Sequence, residues 1–375
     1  MLRLMDANLD RLGEGLRVLE DVARFVLGDV ALTERLKRLR HEMIPMDPNL
    51  KRRLLAARDA EGDLGRKSSV AGIERRGLED VVIANARRAQ ESLRVLEEFA
   101  KLPEIPPEIA GRDFERARFE LYDIERELVF DLDRSRKRES IRGLYIIIDA
   151  EALRGSVSEL EAARRAIAGG VGVLQYRDKV HSRREALSIA QELRDCCARA
   201  GVLFIVNDWA DIALAVEADG LHIGQEDLPV NVVRKTLPPE MIIGCSVRTV
   251  PQAQRAEAEG ADYLGVGSVY PSPTKPGAEV IGVAGLRAVK GAVSVPIVAI
   301  GGIAETNAGE VIGAGADGVA VIGAVLNAAD ITEATRRLKA VVEKALVEKG
   351  DASGKTDFRL GADRRDDPDE FRRQA

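Results

Sequence analysis

Apolar residues in the first third of the chain recur at spacings of three and four, a pattern typical of amphipathic helices. Leu, Arg and Glu dominate this segment, and no strand-like alternation of apolar and polar residues interrupts it. The pattern predicts an all-α helical domain over residues 1–133. The polar loop at 58–69, rich in Gly, lies in its middle and lacks the spacing of a P-loop.

An internal repeat lies within the helical segment. The pattern A-N-x-x-R-x-x-E-x-L-R-V-L-E begins at Ala7 and again at Ala84. On a helix, the polar residues of each copy fall three apart and form one stripe. They are Asn8, Arg11, Glu14 and Arg17 in the first copy, and Asn85, Arg88, Glu91 and Arg94 in the second. The stripes allow two interpretations: structural salt bridges in a duplicated hairpin, or a pocket between the copies for an anionic ligand.

The chain changes character after a charged run at 134–141, which we interpret as a linker. Eight short apolar runs then alternate with helical patterns, which predicts a (β/α)8 TIM barrel over 142–348. An open doubly wound sheet is the alternative, although no G-x-G-x-x-G opens a helix after the first strand. The charged end, 349–375, predicts a disordered tail. The predicted strands are Leu144–Asp149, Val173–Tyr176, Leu203–Asn207, Gly220–Gly224, Ile242–Ser246, Tyr263–Val269, Ile297–Ile300 and Gly318–Ile322.

Composition narrows the functional classes. The 375 residues are 45% hydrophobic and 31% charged, with a net charge of -6, which disfavours general nucleic-acid binding. No apolar run has the length of a membrane span or a signal peptide, and the three cysteines form no disulfide or zinc pattern. We therefore predict a cytoplasmic protein without nucleic-acid or membrane partners. A homo-oligomer is left open.

Polar residues gather where the predicted strands end, the edge at which barrels of this kind place their sites. Gln175, Arg177 and Lys179 alternate at the end of the second strand, so all three point to one side and could bind a base and a phosphate. Asp208 and Asp227 follow the third and fourth strands. Their carboxylates suit Mg²⁺, which takes one or two carboxylates together with phosphate oxygens.

The remaining strand ends carry glycines and hydroxyl groups. Gly301 and Gly302 after the seventh strand, and Gly323 after the eighth, allow backbone N–H groups to approach a phosphate. The loop 268–277 combines hydroxyl groups with Lys275 and resembles a closing lid. His222 and Cys245 are interpreted as packing or pocket-lining residues, because neither has a recognisable catalytic partner.

Taken together and in this order, the strand-end motifs of residues 142–347 resemble thiamine-phosphate synthases. The motifs are Gln175-Tyr176-Arg177-Asp178-Lys179, Val206-Asn207-Asp208, His222-Ile223-Gly224-Gln225-Glu226-Asp227, Pro271-Ser272-Pro273-Thr274-Lys275 and Ile300-Gly301-Gly302-Ile303. That family joins hydroxymethylpyrimidine diphosphate to thiazole phosphate and releases pyrophosphate. The resemblance implies a (β/α)8 transferase with a bound Mg²⁺ and two small phosphorylated substrates.

The resemblance also implies residue roles. Gln175 and Asn207 would hold the pyrimidine, and Asp208 and Asp227 the Mg²⁺. The cations Arg177, Lys179 and Lys275 would bind the diphosphate, and Ser246 would lie near the reacting groups. Ser272, Thr274, Gly301, Gly302, Ile322 and Gly323 would bind the thiazole phosphate. The family often has Ser in place of Gly323 and His in place of Arg248.

The helical segment resembles the ThiD2 domain found fused to some bacterial thiamine-phosphate synthases, which implies a hydroxymethylpyrimidine phosphate kinase. A structural or oligomerising module, or a phosphate-ligand sensor, is the alternative for this segment. For the barrel, the rival function is thiazole tautomerase, which needs a His at the position of Arg248.

Overall fold

The computed structural model describes residues 1–44, 47–58, 74–272, 277 and 279–353. Met1–Lys137, with Pro238–Glu240, form one compact unit, and Arg138–Leu237 with the described residues from Met241 onward form the other. Among the described helices, none has the length and hydropathy needed to cross a membrane.

The described part of the first unit is helical, which confirms the predicted fold class. Its helices are α1 (Leu2–Asp21), a π-helical turn (Val22–Leu27), α2 (Val30–Met43), α3 (Pro48–Ala56), α4 (Leu78–Phe99), α5 (Pro107–Ala110) and α6 (Phe114–Ser140). The last of these runs without a break through most of the predicted linker at 134–141.

The sequence repeat corresponds to α1 and α4, whose buried stripes have the same spacing. The two helices approach closely at Gly15, where an added Cβ would lie 2.9 Å from the backbone oxygen of Asn85. Such contact between backbones requires a residue without a side chain. The buried residues are Met5, Leu9, Leu12, Leu16 and Leu19 in α1, and Val82, Ala86, Ala89, Leu93 and Leu96 in α4.

The second unit is a closed barrel of eight parallel strands, each paired with the next in sequence and the last with the first. The predicted (β/α)8 fold is confirmed, and the doubly wound alternative is wrong. The strands are β1 (Gly143–Asp149), β2 (Val173–Arg177), β3 (Leu203–Asn207), β4 (Gly220–Ile223), β5 (Ile242–Val247), β6 (Tyr263–Val266), β7 (Ile297–Ile300) and β8 (Gly318–Val321).

Helices surround the strands and bury a large apolar layer between themselves and the sheet. The sixth strand ends three residues earlier than predicted, since the chain from Gly267 turns into a loop that packs on Gly301. The helices are α7 (Glu159–Ala168), α8 (Arg183–Ala200), α9 (Ala210–Ala215), α10 (Val230–Thr236), α11 (Val250–Ala258), α12 (Gly282–Lys290), α13 (Ala308–Gly313), α14 (Gly323–Leu326) and α15 (Ile331–Ser353).

The final helix also differs from the sequence prediction. It continues to Ser353, past the predicted end of the barrel at 348, because the amine of Lys349 donates to the carbonyls of Gly315 (3.0 Å) and Ala316 (2.9 Å). These bonds hold the last turns of the helix against the barrel. The rest of the predicted tail lies outside the described residues.

Buried or half-buried aspartates join the amino-terminal ends of neighbouring strands in three strand pairs. In each pair an aspartate just before one strand accepts a hydrogen bond from the backbone N–H of the preceding strand, so two neighbouring strands start in register. The bonds are Phe204 N–H to Asp219 (2.9 Å), Ile243 N–H to Asp262 (2.8 Å) and Ile297 N–H to Asp317 (2.9 Å).

Candidate active site

Strand alternation places the predicted site residues on the interior face of the barrel. Val173, Ile205 and Ile242 belong to the interior apolar cluster. Residues two or four positions further along each strand share that face. The interior face therefore carries Gln175 and Arg177 on β2, Asn207 on β3 and Ser246 on β5.

A hydrogen-bond chain crosses the interior and joins Gln175 to Ser246. The Gln175 amide donates to the Tyr145 hydroxyl (2.7 Å), which lies 3.0 Å from the Tyr263 hydroxyl. That hydroxyl lies 3.1 Å from Nδ1 of His222, and Nε2 of His222 lies 2.9 Å from the Ser246 hydroxyl. Burial raises the pKa of both tyrosines, so their hydroxyls stay neutral and can donate at ordinary pH.

Two glycines make room for this chain. An added Cβ at Gly244 would lie 2.2 Å from the Tyr263 ring and 2.4 Å from Nδ1 of His222, and one at Gly265 would lie 2.9 Å from the His222 ring. All three distances are below van der Waals contact. The imidazole can therefore lie across the barrel only because β5 and β6 have no side chain at these positions.

Two cations at the end of β2 pair with carboxylates. Arg177 contacts the buried carboxylate of Asp149 at 2.5 Å, and Asp149 also accepts backbone N–H bonds from the turn after β1. The amine of Lys179 lies 2.6 Å from Asp208 and is nearly half exposed. A charge-assisted pair open to solvent can exchange its partner for phosphate oxygens at little cost.

The predicted metal carboxylates lie side by side. Asp208 adopts a left-handed backbone (φ 62°), and its N–H donates to the carbonyl of His222, which turns its side chain away from the strand path. The Asp227 carboxylate accepts from the Gly224 N–H at 2.7 Å. Burial and the adjacent Asp208 carboxylate raise the pKa of Asp227, against the opposing effects of the Gly224 N–H and Lys179.

This donor set fits Mg²⁺. Two adjacent carboxylates repel each other, and a divalent cation relieves that repulsion. No group of three or more His, Cys, Asp or Glu side chains in the described ranges is arranged for a metal. A cation at Asp208 and Asp227 would therefore need ligands from water or substrate phosphate, as Mg²⁺ commonly has.

Glycines shape the predicted thiazole-phosphate side. Gly301 (φ 101°) and Gly302 (φ 64°) follow β7, and an added Cβ at either would strike the loop between Ser268 and Pro271. The Asn307 amide donates to the Gly302 carbonyl at 2.9 Å and fixes this turn. Ser272 is half-buried in the facing loop. Thr274 and Lys275 lie outside the described residues, so their predicted roles remain predictions.

Three further positions from the sequence analysis lie after strands β5 and β8, and one lies within β5. Ile322 precedes α14, and Gly323 begins it. Arg248 is exposed, and its backbone N–H donates to the Gln252 side chain. Cys245 is 4% exposed, and burial raises the pKa of its thiol to about 11, so it is not a thiolate at neutral pH.

The first and last residues of each polar stripe form bonds within the first unit. Each Asn donates to the carbonyl four residues earlier in its own helix, and the final Arg of each stripe pairs with acidic residues of the following turn. The pairs are Arg17 with Glu20 (3.3 Å) and Asp21 (3.4 Å), and Arg94 with Glu97 (2.7 Å) and Glu98 (3.0 Å). This arrangement favours the structural interpretation of the repeat.

Acidic residues also surround the start of the polar loop. Arg58 pairs with the buried Asp6 at 2.8 Å and with Asp10 at 2.5 Å. Burial raises the pKa of Asp10; Arg58 opposes that shift, whereas Asp6 and Glu14 add to it. Asp6, Asp10 and Glu14 therefore make this face of α1 acidic, and Arg58 is paired with two of them. The predicted loop residues 59–69 lie outside the described chain.

Sequence reasoning missed Tyr145, Tyr263 and Asp149. Both tyrosines lie inside apolar runs with no polar neighbour to mark an interior face. Only strand alternation, which puts Tyr145 on the same face as Asp149, could have indicated the interior position of Tyr145. The signal for Asp149 was its place at the end of β1, equivalent to that of Arg177 on β2, with which it is in register.

Comparison with known proteins agrees with this geometry. Residues 144–325 match the family model of thiamine monophosphate synthase, and residues 3–127 match the ThiD2 family. A thiamine-phosphate synthase of Nostoc sp. is 40% identical over 337 residues, covering 90% of this chain and 92% of that relative. One from Moorella thermoacetica is 53% identical over 203 residues, covering 54% of this chain and 96% of that relative.

A solved structure supports the barrel assignment. The thiamine phosphate pyrophosphorylase of Pyrococcus furiosus is 43% identical, with a TM-score of 0.52, and covers 56% of this chain and 99% of that one. Fold and site together define a phosphate-handling transferase built on a (β/α)8 barrel. The chain belongs to the thiamine-phosphate synthase family, with a ThiD2 domain at its amino terminus.

Proposed function

We propose that the barrel joins hydroxymethylpyrimidine diphosphate to thiazole phosphate, releasing pyrophosphate and forming thiamine phosphate. One observation carries the proposal: Lys179, Asp208 and Asp227 converge at the strand-end edge of the barrel, whose interior holds the Gln175–Ser246 hydrogen-bond chain. A diphosphate would lie at the charged cluster and its pyrimidine over the interior chain.

The leaving group is handled by charge. Asp208 and Asp227 would hold Mg²⁺, which supplies neutralisation of the departing diphosphate. Lys179 is placed to transfer its contact from Asp208 to the diphosphate oxygens, and Lys275 is proposed to do the same from the loop after β6. Arg177, held by its pair with Asp149, would bind the diphosphate as a fixed cation at the rim of the site. No protein nucleophile is needed, because the aminopyrimidine can stabilise the cation left at its methylene carbon.

The interior chain explains pyrimidine recognition. Gln175 uses its amide N–H₂ toward Tyr145, which leaves its carbonyl oxygen to accept from the exocyclic amine of the pyrimidine. Asn207 lies on the same interior face one strand away and would supply a second polar contact. Ser246, held by His222, would lie beside the carbon at which the new bond forms.

The second substrate would lie across the barrel from the charged cluster. Backbone N–H groups around Gly301, Gly302, Ile322 and Gly323 would bind the thiazole phosphate, with Ser272 and Thr274 closing over it. Binding both substrates would bring the thiazole nitrogen to the pyrimidine methylene and hold the reacting atoms in line.

Removal of one metal carboxylate tests the proposal. Asp227→Ala is expected to lower Mg²⁺-dependent pyrophosphate release by at least about 100-fold, because metal stabilisation of a leaving diphosphate contributes several kcal/mol. The adjacent Glu226→Ala is the matched control and should retain turnover within about twofold. Equal turnover of the two variants would remove the metal assignment. Isomerisation of the thiazole without condensation by the wild-type chain would favour the tautomerase.

For the first unit we propose phosphorylation of hydroxymethylpyrimidine phosphate, which would supply the substrate of the barrel. The match of residues 3–127 to the ThiD2 family supports this proposal. The test uses the full-length Asp227→Ala variant with ATP, Mg²⁺ and the pyrimidine monophosphate. Diphosphate product would accumulate, since the barrel no longer consumes it. No ADP from the folded variant would favour a structural or oligomerising unit.

The enzyme would work on two small phosphorylated molecules in the cytoplasm, without a nucleic-acid or membrane partner.

A further inference from the structure

The loop between β2 and α8 is fixed by one buried carboxylate. Asp178 is 4% exposed and accepts hydrogen bonds from three neighbouring residues. They are the Tyr176 hydroxyl (2.5 Å), the Val180 N–H (2.7 Å), and the backbone N–H (3.0 Å) and Nδ1 (2.8 Å) of His181. We name Tyr176, Asp178 and His181 the loop clamp. Tyr176 extends from the helix-facing side of β2, so the clamp ties the loop to the barrel wall.

Acidic side chains around the loop clamp favour the protonated form of His181. The side chains of Glu159 on α7 and Glu185 on α8 act on His181 together with Asp178. The hydrogen bond to Asp178 raises the pKa of His181. Burial alone would raise the pKa of Asp178, but the hydrogen bonds from Tyr176, Val180 and His181 lower it. The cation and the carboxylate therefore favour each other in the folded protein.

The other end of the loop is fixed independently. Ser182 caps α8 in a reciprocal bond with Glu185. Arg183, the first residue of α8, stacks on the Trp209 ring at 4.5 Å and pairs with Asp211 at 2.7 Å. The start of α8 is thus joined to the segment that follows Asp208.

Lys179 lies between these two anchors. Its side chain is nearly half exposed and has four rotatable carbon–carbon bonds, so its own packing does not fix it. Yet its amine meets Asp208 at 2.6 Å. The backbone of the loop sets the direction from which the side chain approaches Asp208, and Asp178 fixes that backbone just after Lys179 through the N–H groups of Val180 and His181.

We propose that the loop clamp is a positioning device for the reaction: by holding Lys179 against Asp208, Asp178 and His181 determine how tightly the diphosphate is bound. The inference rests on the proposed function, since it assigns Lys179 to the diphosphate. In this assignment the clamp residues act through Lys179, as positioning residues.

A double-mutant cycle measures this dependence. Asp178→Asn, Lys179→Ala and the double variant are compared for KM and kcat with the pyrimidine diphosphate. Binding of Mg²⁺-pyrophosphate is followed in parallel by the fluorescence of Trp209, the only tryptophan in the chain. Asp178→Asn should raise KM and the pyrophosphate Kd about tenfold with kcat within about threefold, and it should add nothing to Lys179→Ala. Multiplying effects in the double variant would overturn the proposal.

Milder variants keep the test valid if Asp178→Asn does not fold. Tyr176→Phe and His181→Gln each remove one bond to Asp178 and should raise the pyrophosphate Kd about threefold, an effect that disappears in the Lys179→Ala background. Ser158→Ala, which removes the cap of the neighbouring helix α7, is the matched structural control. It should lower Tm without moving Kd. Clamp variants that lower Tm and leave Kd unchanged would assign the clamp to stability alone.

The wild-type chain separates the two possible failures. If it neither releases pyrophosphate nor binds Mg²⁺-pyrophosphate, the proposed function fails. If it does both while the clamp effects persist in the Lys179→Ala background, only the positioning role fails.

Discussion

The two units use their polar residues in opposite ways. In the helical unit the repeated Asn side chains bond to their own helices, and Arg17 and Arg94 pair at equivalent positions with the following turn. In the barrel, polar side chains from five strands point inward and bond to one another across the interior, from Gln175 to Ser246. The first pattern completes a helix surface, and the second leaves groups available to a ligand.

Close-packed glycines show the same difference. At Gly15 the absence of a side chain lets one helix backbone reach another, so the contact serves packing alone. At Gly244 it makes space for the rings of His222 and Tyr263, so the contact shapes a site. Substitution of Gly15 should therefore affect stability, whereas substitution of Gly244 should affect activity.

The largest effect is expected from Gly244→Ala. Its methyl group would lie 2.2 Å from the Tyr263 ring and 2.4 Å from His222, and neither ring can move outward through the barrel wall. Displacement of both should lower kcat/KM by at least about 100-fold, because misplaced site groups cost orders of magnitude in rate. Pyrophosphate release under initial-rate conditions measures it.

Gly309→Ala is the matched control for this variant. Its added methyl meets nothing within 4 Å, and Ala is the better helix former, so activity should be unchanged. Wild-type activity in Gly244→Ala would show that the interior chain is not part of the site, and the contrast between the two units would fail.

The next effect is expected from Tyr263→Phe. The change removes the hydroxyl between Tyr145 and His222 and leaves both without that partner in a buried place. Leaving a buried polar group unsatisfied costs about 1–3 kcal/mol, so we expect about a tenfold loss in kcat/KM, mostly in KM for the pyrimidine. Tyr122→Phe on the exposed face of α6 removes a hydroxyl from the other unit and should leave kinetics unchanged.

The fold could be predicted from the sequence because it depends on periodicity. Eight apolar runs predicted eight strands, and the offset repeat indicated two equivalent helices, which are α1 and α4. Strand ends depend on contacts between distant residues, so the early end of β6 at Val266 was not predictable. The same reason applies to α15, whose extension to Ser353 depends on the bonds of Lys349.

Site residues that follow the end of a strand could be predicted from the sequence, whereas Tyr145 and Tyr263, which lie within strands, could not. Asp208 and Asp227 stand out as carboxylates after apolar runs, and the structure places them together. Tyr145 and Tyr263 resemble ordinary core residues in sequence, because an aromatic ring fits a strand whether or not its hydroxyl is used. Their role depends on which strands become neighbours across the barrel.

A smaller effect is expected from Gly15→Ala in the helical unit. The added methyl would lie 2.9 Å from the Asn85 carbonyl oxygen, so α1 and α4 must separate slightly. Overpacking costs about 1–3 kcal/mol, which exceeds the gain of about 1 kcal/mol in helix propensity. We expect the Tm of the helical unit, followed by thermal unfolding, to fall by a few degrees, with pyrophosphate release by the barrel unchanged.

Gly13→Ala lies on the same helix and controls for propensity. Its methyl would meet only Ile44 at 3.6 Å, an ordinary contact, so this variant should be neutral or stabilising. A Gly15→Ala protein as stable as Gly13→Ala would contradict the close packing of the repeat, and a loss of barrel turnover would contradict the separation of packing from chemistry.

The smallest effect is expected from Gly323→Ser, which gives this chain the residue common in the family. An added Cβ would approach only the end of the Asn327 side chain, at 3.0 Å, and that amide can rotate away. The new hydroxyl should add one contact to the thiazole phosphate and lower its KM about threefold, with kcat and the KM for the pyrimidine unchanged. Gly323→Ala adds the same carbon without the hydroxyl. If both variants lower KM equally, the gain comes from helix propensity, and the phosphate does not lie at the start of α14.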